Sequence, residues 1–349
     1  MRVLLTGGAG FIGTKLSSAL ANEGAEVTVL DNLHPQIHGD HASPDPRLDG
    51  AFVRGDVTDR ATMVEVAEAG HDLIVHLAAE TGTRQSLDEA SRHGLVNVVG
   101  TTRLVDALTE VGRFPEHLVL LSSRAVYGEG DWEIPGEPGA PRAVAMRMPR
   151  DLSAGRWLPS GIPEGSIPLP SSADRTAAAP TSVYGATKLA QEHVLRAWCV
   201  ARDVSLSILR LQNVYGPGQS PRNPYTGVMT LFARLALAGD PVPIYEDGNI
   251  MRDFVHVGDV VAAIMAACGR VPSMPRILDI GSGRATTILA MANTVTTLAG
   301  GPAPIITGEY RAGDVRAACC DISRAERELE WQPSISLQAG IKSLLQWLG

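Results

Sequence analysis

The sequence predicts an α/β protein: a doubly wound parallel sheet followed by a smaller C-terminal lobe. Three observations predict it. Strand-like and helix-like segments alternate along the first 210 residues. The strand-like runs are short and apolar, as in strands covered on both faces. The first of them passes directly into a glycine-rich turn and an amphipathic stretch.

The elements follow in order. Val3-Leu4-Leu5 centres a strand over 2–6, and Leu16 to Leu20 falls in a helix over 11–23. Between them lies Thr6-Gly7-Gly8-Ala9-Gly10-Phe11-Ile12-Gly13. In a strand–turn–helix unit Gly7 makes the tight turn, Gly10 lets backbone N–H groups approach a pyrophosphate, and Gly13 allows close helix packing. Phe11 and Ile12 open the helix at that phosphate. The second strand, 26–30, ends at Asp31, 18 residues past Gly13. A carboxylate there accepts a hydrogen bond from a ribose 2′-OH and repels a 2′-phosphate, so the expected cofactor is NAD rather than NADP. Asn32 and Leu33 follow, without the arginine that NADP sites tend to carry. After the third strand, 51–54, Asp56-Val57 is placed to meet an adenine ring with a side chain and a backbone amide.

A helix over 60–68 leads to the fourth strand, 73–76, closed by Leu77-Ala78-Ala79. Small residues there either let the cofactor lie against the strand end or are plain core alanines. Thr81 and Arg84 come next, at the carboxyl edge of the sheet where ligands of such folds bind, and can touch sugar or cofactor phosphate. A helix over 94–111, a strand over 117–122, a helix over 184–202 and a strand over 205–210 complete the pattern. Residues 1–210 therefore read as an NAD-binding Rossmann domain, and 211–349 as a second lobe with room for one strand or helix returning to the core. One stretch breaks the alternation. From Trp132 to Pro180 inclusive, nine prolines exclude a continuous helix or a central strand, so 132–180 reads as a long, partly structured insert. It forms either one wall of the substrate pocket or a surface decoration.

Composition narrows the class. The chain has 349 residues, 44% hydrophobic and 19% charged, enough for a substantial core. A net charge of −8 without a basic run makes nucleic acid and anionic membrane surfaces poor partners. Cys199, Cys268, Cys319 and Cys320 show no paired-ligand spacing and read as reduced thiols, consistent with a cytoplasmic protein. No apolar run approaches the length of a membrane span, and a strand beginning near residue 2 leaves no room for a signal peptide. His34, His38 and His41 cluster in one loop without ligand spacing and read as solvated, so no metal is expected.

The chemistry centres on Tyr184-Gly185-Ala186-Thr187-Lys188. Four residues apart on a helix, Tyr184 and Lys188 share a face. A free phenol, with a pKa of about 10, accepts a proton at neutral pH only where nearby positive charge stabilises its anion. Lys188 supplies such charge, which makes Tyr184 a candidate general base.

Glycine turn, Asp31, Ser123 and the Tyr184/Lys188 pair stand in the order found in the extended short-chain dehydrogenase/reductase family, which the chain resembles over nearly its whole length. Asn97-Val98-Val99-Gly100-Thr101 resembles the family's motif after the fourth strand, and makes Asn97 a cofactor-side candidate. Leu121-Ser122-Ser123-Arg124-Ala125-Val126-Tyr127-Gly128 resembles its catalytic strand end, where Ser123 would hydrogen-bond the reacting sugar oxygen and Arg124 would lie against substrate. The segment around Asn213 resembles one that contacts a nucleotide-sugar. Arg252 would grip its diphosphate, Arg311 a phosphate and Asp314 a ribose. In a net acidic protein a diphosphate needs placed donors, for which the planar guanidinium fork is suited.

That resemblance implies an enzyme that first oxidises C4 of a nucleotide-diphosphate sugar, with Tyr184 taking the hydroxyl proton. Dehydratases of the family carry Asp-Glu directly after the catalytic hydroxyl residue, and its decarboxylases a Glu at the second position. Here the pair is Arg124-Ala125, which favours 4-epimerisation: oxidation, then return of hydride to the other face. Dehydratase, decarboxylase, reductase and a non-catalytic NAD-binding regulator are the alternatives. The segment Leu30–Asp40 and the insert around Ala154-Gly155-Arg156-Trp157 resemble thymidine-diphosphate-L-rhamnose 4-epimerases, while uridine-diphosphate hexoses remain open as substrates. The cysteine pair often present in that subgroup's insert is absent from 160–165, so no metal is carried over. Family resemblance also implies a homodimer through the helices near 94–111 and 184–202.

Overall fold

The computed structural model of the chain describes residues 1–40, 42–137, 139, 141–220 and 227–349. Seven parallel strands make its central sheet: β1 (Arg2–Thr6), β2 (Glu26–Asp31), β3 (Ala51–Arg54), β4 (Leu73–His76), β5 (His117–Ser123), β6 (Ser205–Leu211) and β7 (Arg276–Ile280). Their order is β7-β6-β5-β4-β1-β2-β3, the Rossmann-type doubly wound arrangement. The strand order reverses between β1 and β4, and that switch point opens a crevice at the carboxyl ends of the strands.

Both faces of the sheet are covered, which explains the unbroken apolar runs. On one face, Leu16 and Leu20 of α1 (Phe11–Asn22) pack with Val260, Ile264 and Ala267 of α5 (Val257–Gly269) against Val3, Leu5, Val75 and Val119. On the other, α2 (Arg60–Ala69), α3 (Gly100–Val111) and α4 (Val183–Arg202) bury Met63, Val66, Leu104, Leu108, Leu195 and Cys199 over Leu4, Ile74, Leu118 and Ile208. β7 and α5 come from beyond residue 210: β7 pairs with β6 in parallel from Arg276↔Ser207 to Ile280↔Leu211. The chain leaves the sheet, builds a lobe and returns.

The lobe has its own core, in which Phe232, Met291, Ile341 and Leu344 are buried. A small sheet built on Met251–His256 joins the lobe to the cleft, pairing with Asn213–Tyr215, Ala285–Thr287 and Ala317–Ala318. The 132–180 insert is ordered around a three-stranded antiparallel sheet, Asp131–Glu133 between Arg142–Ala143 and Ile167–Pro168, with one helical turn at Pro149–Leu152. The helix expected over 94–111 is longer and irregular. It runs from Ala90 to Val111 with a wide π turn over Gly94–Val99.

Candidate active site

A cleft of about 1760 Å³ runs from the glycine turn after β1 to Trp347 in the lobe. Its inner half is shaped for a dinucleotide. Gly7 takes φ +68° and donates its N–H to the Leu30 carbonyl at 2.7 Å, while a Cβ at Gly13 would stand 2.5 Å from the backbone of Gly8. The close contact of Gly13 is thus with the turn itself, just beyond the strand. Helix α1 starts at Phe11 with no side chain capping it, so the N–H donors of its first turn are left for an anion. Asp31 lines the cleft at the end of β2, accepting from Ala9 N at 3.0 Å and Leu33 N at 2.8 Å. Each oxygen keeps capacity for a ribose hydroxyl. Asn32 donates to Asp56 at 2.8 Å, and Val57, Leu77, Ala78 and Ala79 complete this wall. An open helix start, a carboxylate at the strand end and a small-residue floor fit NAD.

Asn97, expected on the cofactor side, is fully buried: it accepts from Glu80 N at 2.7 Å and donates to the Glu80 carbonyl at 3.0 Å and to Thr187 Oγ1 at 2.9 Å. Its amide fastens the Glu80 loop and the π turn to α4. His34 Nδ1 accepts from Gln36 N, His38 Nε2 lies 3.9 Å from Asp31, and His41 falls outside the described residues.

The expected catalytic residues meet where β5 ends and α4 begins. Ser182 caps α4 by accepting from Gly185 N at 3.0 Å, which sets Tyr184 in the first turn. Tyr184 and Ser123 both line the cleft. Burial pushes the phenol above its ordinary pKa, while the Ser123 hydrogen bond and the Arg124 guanidinium pull it down. Lys188 shares the cleft but is almost wholly buried, and burial lowers its ammonium to about 7 against the pull of Glu192. Lys188 Nζ donates to Gln191 Oε1 at 2.5 Å, and Gln191 donates in turn to Thr101 Oγ1 at 2.7 Å. Thr101 sits 2.9 Å from His76, which bonds Thr6 at 2.6 Å. Sequence reasoning missed this polar chain. Its signal was available, because Gln191 follows Tyr184 by seven residues and Lys188 by three, on one helical face.

The outer half gathers cations. Thr81, Arg84, Arg124, Asn213, Arg252, Arg311 and Asp314 all line the same cleft. Arg124 donates to Asn213 Oδ1 at 3.2 Å; burial first, then Arg252, lowers it to about 10. Arg252 donates to the Met251 carbonyl at 2.7 Å and reaches Asp314 at 3.4 Å. Arg311 stacks on the Tyr245 ring at 5.0 Å, its buried Nε without a partner among the described residues. Guanidiniums this crowded and this sparsely paired suit a ligand that is itself a dianion. No described residue of the insert lines the cleft.

Sheet order, cleft and the convergence of Ser123 and Tyr184 define the class: a Rossmann-type α/β enzyme of the short-chain dehydrogenase/reductase kind. Within it, the chain belongs to the NAD-dependent epimerase/dehydratase family, whose model matches residues 3–144 and 157–281. A dTDP-L-rhamnose 4-epimerase of Burkholderia thailandensis is 51% identical over 99% of this chain and 94% of its own length. A UDP-glucose 4-epimerase of Mycolicibacterium smegmatis is 30% identical over 99% of this chain and 98% of its own. Among solved structures, the UDP-glucose 4-epimerase of Thermotoga maritima with UDP-glucose has a TM-score of 0.80 at 27% identity, covering 100% of this chain and 98% of that one. The Thermus thermophilus UDP-glucose 4-epimerase with NAD has a TM-score of 0.79 at 28% identity, covering 99% and 98%.

Proposed function

We propose that the chain is an NAD-dependent nucleotide-sugar 4-epimerase, an isomerase that interconverts dTDP-L-rhamnose and its C4 epimer. One observation carries the reaction type. Tyr184 and Ser123 share a cleft in which positions 124 and 125 offer a guanidinium and a methyl group where elimination or decarboxylation would need a carboxylate. The 51% identity to a dTDP-L-rhamnose 4-epimerase supports the thymidine-linked deoxy-sugar over a uridine-linked hexose.

The residues divide the work. Ser123 holds the C4 oxygen, and Tyr184 takes its proton and later returns it. NAD, held at the start of α1 and by Asp31, would supply a reversible hydride acceptor at C4, so that the proton handled by Tyr184 and the hydride return with no net redox. Arg252 and Arg311 hold the diphosphate while the sugar turns over, and Asp314 holds the nucleotide ribose. Asp31 takes the adenosine ribose of the cofactor.

The test is incubation with dTDP-L-rhamnose and NAD⁺, followed by NMR. Accumulation of the C4 epimer is expected; loss of water or carbon dioxide would point to a dehydratase or decarboxylase. No product from any thymidine- or uridine-linked sugar would leave a non-catalytic NAD-binding regulator.

We further propose a cytoplasmic homodimer. The four cysteines are all free, and among the described residues no helix is long and apolar enough to cross a membrane. Leu95 is 50% exposed, Val99 37% and Val200 60%, on the two helical segments the dimer would use. Light scattering that returned a monomer mass would reject this assembly.

A further inference from the structure

No described residue of the insert lines the cleft, yet one of its side chains holds the loop that does. Arg147 is 3% exposed. Its Nε and Nη2 donate to the backbone carbonyl of Asp314, at 3.3 and 2.7 Å. Its Nη1 donates to Glu246 Oε1 at 2.7 Å and to the Trp157 carbonyl at 3.2 Å, and Nε lies 3.3 Å from Glu129 Oε1. The carboxylates are shared with Arg316, which donates its side chain to Glu246 at 2.8 Å and its backbone N–H to Glu129 at 2.9 Å. Arg316 also pairs with Asp247 at 2.8 Å, so three carboxylates and two guanidiniums meet behind the cleft. Among the described side chains of that cluster, Arg147 is the one that bonds the backbone of Asp314.

That segment has little else to fix it from the cleft side. Asp314 N donates to the Arg311 carbonyl across a turn at 3.3 Å, and the Asp314 side chain meets Arg252 at 3.4 Å. Around it, Trp157 of the insert lies 6.5 Å from the ring of Tyr310, and Glu246 N donates to the Glu309 carbonyl at 2.7 Å. A buried guanidinium is costly to desolvate, and spending two of its donors on one carbonyl fixes the position of that carbonyl. Arg147 also lies in the 145–156 gap between the two stretches that the family model matches.

We propose that Arg147 is a positioning residue for the nucleotide-sugar: from behind, it sets the Arg311–Asp314 turn at the distance from which those two side chains meet the nucleoside diphosphate. The insert then acts on substrate affinity without lining the pocket. This rests on the nucleotide-sugar reading of the cleft.

The experiment uses Arg147→Met and Arg147→Lys in the full chain. Steady-state kinetics are measured with dTDP-L-rhamnose, and dTDP and NAD⁺ are each titrated by calorimetry. Arg147→Met is expected to raise KM and the dTDP Kd about tenfold, with kcat and the NAD⁺ Kd within about twofold. Arg147→Lys retains the buried charge but loses the two-point hold on the carbonyl, and is expected to raise both about threefold. If the Met variant does not fold, the Lys variant decides. dTDP affinity within twofold of the parent in a folded variant overturns the proposal, as does a parallel loss of NAD⁺ affinity, which would mean general loosening. A parent chain that binds dTDP but turns over no sugar refutes the epimerase reading while the dTDP titrations still judge Arg147.

Discussion

At Tyr184 burial and hydrogen bonding oppose each other, and the outcome sets the chemistry. Burial holds the proton on, and Ser123 and Arg124 work to release it. Lys188, brought to about 7 by burial, is only partly charged at neutral pH, so Arg124 is the cation of this chain with the clearer influence on the phenol. Tyr184→Phe is expected to lower kcat by about 10²–10⁴-fold with the NAD⁺ Kd unchanged, since only the proton-transfer group is lost. Retained turnover would remove Tyr184 from the role of base. Arg124→Met tests the second step. Removing that guanidinium raises the Tyr184 pKa, so the limb of the kcat/KM profile that rises with pH should move to higher pH. A limb that stays in place would mean Arg124 contributes no field at the phenol. That Ser123, Tyr184 and Lys188 share one cleft was legible in the sequence, because helical spacing and a motif place them together. Arg147 was not, for a lone arginine among prolines carries no periodicity and its partners lie 99 and 167 residues away.

Among the elements, the first six strands of the sheet were legible to within a residue at each end, because burial on both faces leaves continuous apolar runs. β7 was hidden by its polar residues. Arg276 and Asp279 interrupt the apolar run, and in the structure both are buried and paired: Arg276 Nε donates to Ser207 at 2.9 Å, and Asp279 accepts from Tyr127 at 2.7 Å and Ala173 N at 2.8 Å. Partners that far along the chain cannot be inferred from a local pattern. The bonds of Asn97 were hidden for a related reason, since a motif locates an amide but not the loop carbonyl it meets. The junction of β5 with α4 depends on Gly185, where a Cβ would stand 2.4 Å from the Ala125 carbonyl. Gly185→Val should push the start of α4, and Tyr184 with it, away from Ser123. The expected cost is about 1–3 kcal/mol of stability from overpacking, with a loss of kcat larger than that destabilisation explains. Thermal melts and kinetics of the same preparation check it. A variant with parental kcat would show that the junction tolerates the shift.

Across the whole molecule, two neutral histidines inside the sheet tie its stability to pH. His76 at the end of β4 and His117 at the start of β5 are buried, and burial lowers them from 6.5 to about 3 and about 4. His76 stands between Thr6 and Thr101, and His117 bonds the same Ser207 hydroxyl that receives Arg276, so both stitch strands and helices of the core. The sign follows from the depressed folded-state values. An unfolded chain takes up protons near 6.5 and the native chain refuses them until pH 3–4, so the stabilisation is complete above 6.5 and is lost as pH falls through that window. For His117 the interval corresponds to about 3 kcal/mol as an upper bound. Melting temperature should therefore fall progressively as pH drops below 6.5. Carboxylates contribute to any acid limb, so the discriminating measurement is the difference between the parent chain and His117→Gln. Glutamine keeps a polar partner for Ser207 and cannot take up a proton, so the variant's melting temperature should fall less between pH 6.5 and 4.5. Parallel curves would place the acid sensitivity elsewhere in the fold.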